Sequence, residues 1–257
     1  MAGKIKLDEE TATKLEEFRK SVADEAELVV YRTFPSKIFQ LQQLIDSTSS
    51  TSSPFHLSHA SATTDPIVYP PPESPSVSDE PDTKKRKRSV DDSGINGHVV
   101  SDTQYARSPN VVLSNKHITE VHATMKEECE QLAELFDKVK LWVNLTMPRI
   151  EDGDNFGVQV QEEVLSELHR SQESVYNMRD SARQSHLTRA KIASKLIKYP
   201  HVEDYTLALK EHDEKQLYVA RQNLFDIRNI YAIMTDILHK NIAKVRSPKG
   251  HNVIGLY

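Results

Sequence analysis

The stretch LYVARQNLFDIRNIYAIMTDIL, Leu217 to Leu238, decides the fold. Leu217, Ala220, Leu224, Ile227, Tyr231, Met234 and Leu238 recur at alternating steps of three and four, the repeat of one helical face. Ile230 and Ile237 add a second apolar line, which suits a helix touching two neighbours. The pattern predicts a helix from about Val202 to Arg246.

Upstream, Tyr199-Pro200 closes a predicted helix from about Val158 to Lys198, whose stripe of Val164, Leu168, Val175, Met178 and Ala182 is the weakest in the chain. Before it, Ile118, Val121, Met125, Leu132, Leu135, Val139 and Trp142 mark a helix from about Ser114, its expected N-cap, to Met147, where Pro148 stops it. The first helical segment, Leu7 to Ile45, carries Leu15, Phe18, Val22 and Val29 on one stripe, with a kink or break expected after Phe34 because Pro35 follows. Helices of about 40 residues are roughly 60 Å long. The expected fold is all-α: an elongated, antiparallel four-helix bundle with short loops between its last three helices. Only 37% of the 257 residues are hydrophobic, so a lone rod would be thin. With the second apolar line on the last helix, that favours side-by-side association.

Between the first two helices the composition changes. Eight of the twelve prolines lie from Pro54 to Pro109, among runs such as STSSTSSP and YPPPESPSVSDEP. Such a segment cannot bury enough surface to offset the entropy of ordering, so residues 47–110 read as a disordered linker. This divides the chain into an N-terminal helix (1–46), the linker (47–110) and three further helices (111–257). No stretch approaches the roughly 20 apolar residues of a membrane span, and MAGKIKLDEE lacks the apolar run of a secretory signal. The single cysteine, Cys129, allows no internal disulfide framework; Glu127, Glu128 and Glu130 around it would raise its pKa, which speaks against a catalytic thiolate.

Seven glycines are too few and too scattered for a phosphate-binding cradle, which makes ATP- or NAD-dependent chemistry a poor expectation. The eleven histidines show no helical metal-site spacing, and no catalytic triad or carboxylate pair stands out. Neither a cofactor nor a resident metal is expected. Trp142, Tyr231 and Met234 read as core, and His201 as a turn residue. The segment PRIEDGDNFGV, Pro148 to Val158, is richer. Asp152, Asp154, Gly157 and Glu163 stand at ligand or turn positions of a calcium loop, but Phe156 at the fifth position offers no oxygen. An exposed recognition loop is the reading that fits better. Lys84, Lys85, Arg86, Lys87 and Arg88 form a basic run in an accessible segment: a nuclear-import signal first, a nucleic-acid contact second, a solvated charge cluster third. Ser53, Ser74, Ser108 and Ser247 each precede proline and could accept proline-directed phosphorylation. The tail SPKGHNVIGLY is either frayed or a pocket-inserting segment, with Ile254, Gly255, Leu256 and Tyr257 at its end.

MPRIEDGDNFGVQVQEE (Met147 to Glu163), TRAKIASKLIKYPHVEDY (Thr188 to Tyr205), the terminal Leu256-Tyr257 and the Phe-Pro break within Phe18 to Leu41 together resemble the 11S proteasome activator family, in its nuclear gamma type. The resemblance covers about Leu7 to Ile45 and Val111 onward, not the linker. It implies a four-helix subunit in a homoheptameric ring that caps the 20S proteasome without ATP and has no catalytic site of its own. Arg149, Ile150, Glu151, Asp152, Gly153, Asp154, Asn155, Phe156 and Gly157 would be the activation loop. Ile254 to Tyr257 would be the tail that docks on the proteasome's outer ring. Lys191 would face the channel, and Lys84 to Arg88 would be read by a nuclear import receptor. The implied partners are the 20S proteasome, further copies of the chain, that receptor, and protein or peptide substrates in transit. The implied location is the nucleus, with some protein in the cytoplasm.

The family pattern at the loop tip is Gly-Asn-Asn-Phe-Gly, and Asp154 replaces its first Asn. A carboxylate accepts hydrogen bonds but cannot donate through an amide, and it adds charge where a partner backbone would approach. The rival readings are a nuclear coiled-coil adaptor and a nucleic-acid-binding protein using the basic run.

Overall fold

Asp8 opens the first helix by accepting a hydrogen bond from the Thr11 N–H at 2.8 Å, and this contact holds its carboxyl below the usual range. The computed structural model describes residues 7–62, 114–149, 155–199 and 201–249, and all its regular elements are helical. Helix α1 spans Glu9–Leu28, a π-helical turn covers Val29–Thr33, and α2 spans Phe34–Ser47. Then come the short α3 (Ser58–Ala62) and the long α4 (Lys116–Thr146), α5 (Phe156–Lys198) and α6 (Glu203–Arg246). The α1–α2 segment and α4, α5 and α6 are the four legs of the bundle.

The break expected after Phe34 is a change of register before it. In an α-helix the Pro35 ring would clash with the Tyr31 carbonyl. The preceding turn instead widens, so that the Phe34 N–H reaches Val29 O, five residues back. The chain passes into α2 and buries Phe34, Leu41 and Ile45.

The core fills with the residues of the sequence stripes. Phe34, Phe136 and Tyr231 meet with ring centroids 5.5, 5.5 and 6.3 Å apart, joining α2, α4 and α6 at tilted or edge-on angles. All seven stripe residues of Leu217–Leu238 are buried, whereas Ile230 and Ile237 are only half-buried against the core. Leu135 and Met178 are likewise half-buried. Leu15 and Phe18, placed on a core stripe by their spacing, are 42% and 51% exposed, because the first turns of α1 have no neighbour leg over that face in the single chain.

The weak stripe of α5 has a physical cause: polar residues sit on it. Gln161, Gln172, Ser185 and Arg189 are buried between Val164, Leu168, Val175 and Ala182. Gln172 donates to Ala133 O at 3.1 Å and to Asp137 Oδ1 at 2.8 Å, and accepts from Lys140 Nζ at 2.9 Å, tying α5 to α4. The Arg189 guanidinium lies 3.1 Å from the fully buried Asp213 carboxylate of α6. Asn115, not Ser114, caps α4: its Oδ1 accepts from the Ile118 N–H while its Nδ2 donates to Asp213. The carboxamide accepts through its oxygen and donates through its nitrogen at once.

The linker expected from residue 47 is structured over its first part. Thr48 and Ser53 are buried, Phe55 is 1% exposed, and Arg221 of α6 donates to Thr48 Oγ1 at 3.2 Å. One aromatic anchor and a run of serine and threonine turns hold 48–62 on the bundle. Residues 63–113, including Lys84 to Arg88, Ser74 and Ser108, lie outside the described residues.

Candidate functional site

Pro148 sets the geometry of one end of the bundle. It forces Met147 into extended backbone (φ −59°, ψ 131°), so α4 stops at Thr146. The chain returns at Asn155, and α5 starts at Phe156, two residues before the expected Val158. Between them, Ile150, Glu151, Asp152, Gly153 and Asp154 lie outside the described residues. Helix α6 ends at the same place. Ser247 leaves it in extended backbone (φ −144°, ψ 80°), and its N–H still donates to Ala243 O at 3.0 Å.

The roots of loop and tail touch. A Cβ on Gly157 would stand 2.1 Å from the Pro248 carbonyl oxygen, so only glycine permits this approach. Lys249 Nζ donates to Arg149 O at 3.4 Å, joining the tail to the other side of the loop. Gln161 Nε2 donates to Val245 O at 2.9 Å and to Thr146 Oγ1 at 3.1 Å. Thr146 Oγ1 is itself 2.9 Å from Val143 O and 3.2 Å from Val245 O, either of which can take its proton. Around this junction Phe156 stays 61% exposed, with Lys244 Nζ 5.9 Å from its ring centroid. Arg246 makes a two-pronged pair with Glu27 at 2.7 and 2.8 Å, which raises its pKa and fastens the end of α6 to α1.

Of the loop residues singled out by sequence, Arg149, Asn155, Phe156 and Gly157 thus gather at one end of the bundle with the start of the tail. Ile254 to Tyr257 lie outside the described residues. Lys191 does not join them: it is exposed on α5, roughly 50 Å along the helix from Phe156. Glu163, the last ligand position of the calcium reading, is in the second turn of α5. A helix from Phe156 occupies the half of that loop whose backbone would have to bend around an ion, which counts against calcium. Cys129 is buried, and burial together with the Glu128 carboxylate pushes its thiol up to about 12. Both speak against a thiolate nucleophile.

Spacing missed Gln161, Thr146 and Lys249, although a glutamine on an apolar stripe is a signal of a buried polar contact. It also missed a polar cluster far from the loop, where His122, His186 and His212 gather near Arg189 and Asp213.

The fold and this site define a helical protein that places the roots of a loop and of a tail side by side. The chain belongs to the proteasome activator PA28 family: the family's N-terminal domain matches residues 9–73 and its C-terminal domain residues 111–255. It is 34% identical over 261 residues to proteasome activator complex subunit 3 of Homo sapiens, with all of both chains covered. Among solved structures it resembles the 11S subunit of the Plasmodium falciparum proteasome, PA28, with TM-score 0.69, 28% identity and coverage of 96% of this chain and 100% of that one. The fold also matches a P26 activator solved in complex with an archaeal 20S proteasome, at TM-score 0.62 and 12% identity, over 95% of this chain and 99% of that one.

Proposed function

We propose that this chain is a regulatory cap of the 20S proteasome that works without ATP and without cutting bonds itself. The observation that carries the reading is the meeting of loop root and tail root at Gly157 and Pro248, which lets both elements reach one partner surface at once. Copies of the chain form a ring, seven by the family resemblance. A short tail binds weakly, but several tails on one rigid ring raise one another's effective concentration and dock firmly. Docking through Ile254 to Tyr257 then sets the Arg149 to Gly157 loops against the gate. The loops open it only by binding its open arrangement better than its closed one. Lys191, at the far end of α5, faces the channel through which protein or peptide substrates pass. Lys84 to Arg88 direct the chain to the nucleus through an import receptor.

The test is hydrolysis of fluorogenic peptides by purified latent 20S proteasome. The full chain stimulates it, and a form lacking Leu256 and Tyr257 does not. Asp154→Asn raises the stimulated rate if the extra charge at the loop tip limits opening, and leaves it unchanged if it does not. Neither stimulation nor co-sedimentation with the proteasome would return the chain to the adaptor reading.

A further inference from the structure

Gln161 is fully buried, in the second turn of α5, on the stripe that continues through Val164 and Leu168. Its carboxamide is the only side chain, among the described residues, seen to donate to both a carbonyl of α6 and a hydroxyl of α4. Val245 is in the last turn of α6, where carbonyls have no donor within their own helix, and Thr146 is the last residue of α4. One group from α5 therefore closes the ends of two other legs. One turn earlier, Gly157 seats Pro248 against the start of α5.

We infer that Gln161, assisted by Gly157, is a positioning residue that ties the start of α5 to the ends of α4 and α6, where loop and tail are rooted, so that the seat of the tail fixes where the loop meets the gate. The inference rests on the proposed function and adds what transmits docking to opening. Moving the start of α5 relative to the ends of α4 and α6 would break two hydrogen bonds of a fully buried carboxamide. Without this lock the tails still bind, but the loops arrive loosely placed, and a displacement near 1 Å is enough to lose a positioned interaction.

The test is Gln161→Met in the full-length protein: similar length, no donor. Affinity for latent 20S proteasome and maximal peptide hydrolysis at saturation are measured separately. The expected result is affinity within about threefold of the unsubstituted chain, since the tails carry it, and maximal stimulation lower by about tenfold or more. In the free protein, amide hydrogen exchange rises in the variant at Gln159 and Ser247, whose N–H groups are bonded to Asn155 O and Ala243 O. Unchanged stimulation overturns the inference, and so does a parallel fall of affinity and stimulation. Should Gln161→Met fail to assemble, Thr146→Val, which removes the hydroxyl that Gln161 donates to, carries the same expectation in weaker form. A full chain that neither binds nor stimulates refutes the proposed function instead. The exchange measurement then still decides whether Gln161 holds loop and tail together.

Discussion

His122 lies buried on α4 with its ring edge-on to that of His186 on α5, 5.8 Å between centroids. Loss of water around its charged form, then the neighbouring His186, Lys126 and His212, push its pKa down to about 4, against a smaller opposing hydrogen bond with Gln216. The folded chain thus holds His122 neutral while the unfolded chain protonates it near 6.5. Its stability contribution is complete above pH 6.5 and is lost as pH falls towards 4, by about 3 kcal/mol in total. Urea midpoints at fixed protein concentration should fall across that window. His122→Gln, which is close in volume and cannot titrate, should flatten the fall; an equally steep fall in the variant would place the acid sensitivity elsewhere. In the same cluster Asp213→Ala leaves Arg189 buried without its main carboxylate. It should cost about 3–5 kcal/mol, well above a surface pair.

The segment 48–62 shows what one anchor does for an element. Phe55 is its only large apolar side chain that is buried, and Arg221 of α6 holds Thr48 at the start of the segment. Phe55→Ala removes about 3–5 kcal/mol of burial and packing, and the loss should fall on the segment rather than on the bundle. Limited proteolysis should cut within 48–62 much faster, while the helical signal of α4, α5 and α6 melts at nearly the same temperature. A large common drop in melting temperature would show the segment to be part of the cooperative core.

The same scale explains what could be read in the sequence. The long helices were legible because their stripes repeat locally, and Leu217 to Leu238 alone gives the register of α6. The start of the linker was not, because serine-rich composition hides a single phenylalanine. Pro35 announced a disturbance but not its form, since a missing donor can be met by a break, a kink or a wider turn. The loop was legible as PRIEDGDNFGV; its junction with the tail was not. Gln161 and Val245 are 84 residues apart, and only packing shows that a carboxamide on one helix meets a carbonyl on the other.

At the scale of the whole molecule, one chain leaves too much apolar surface in water. Between α5 and α6 the half-buried Val160 and Ile237 line a groove of about 410 Å³ with the buried Val164 at its floor and Glu163, Glu167 and Asn241 at its polar positions. Ile233, one turn from Ile237, is 55% exposed on α6. Leu15 and Phe18 add a second uncovered face on α1. A ring of copies offers each chain two flanks to cover, as the proposed function requires. Ile233→Glu tests this without touching the core of the single chain, since the residue is already half in water and glutamate is a good helix former. The unsubstituted chain should sediment as one species several times the 29.2 kDa of the chain. The variant should shift towards monomer, keep its helical signal, and lose stimulation of the proteasome together with the avidity of its tails. An assembly indifferent to Ile233→Glu would move the contact to another face, and an unsubstituted chain that stays monomeric at micromolar concentration would remove the ring from the mechanism.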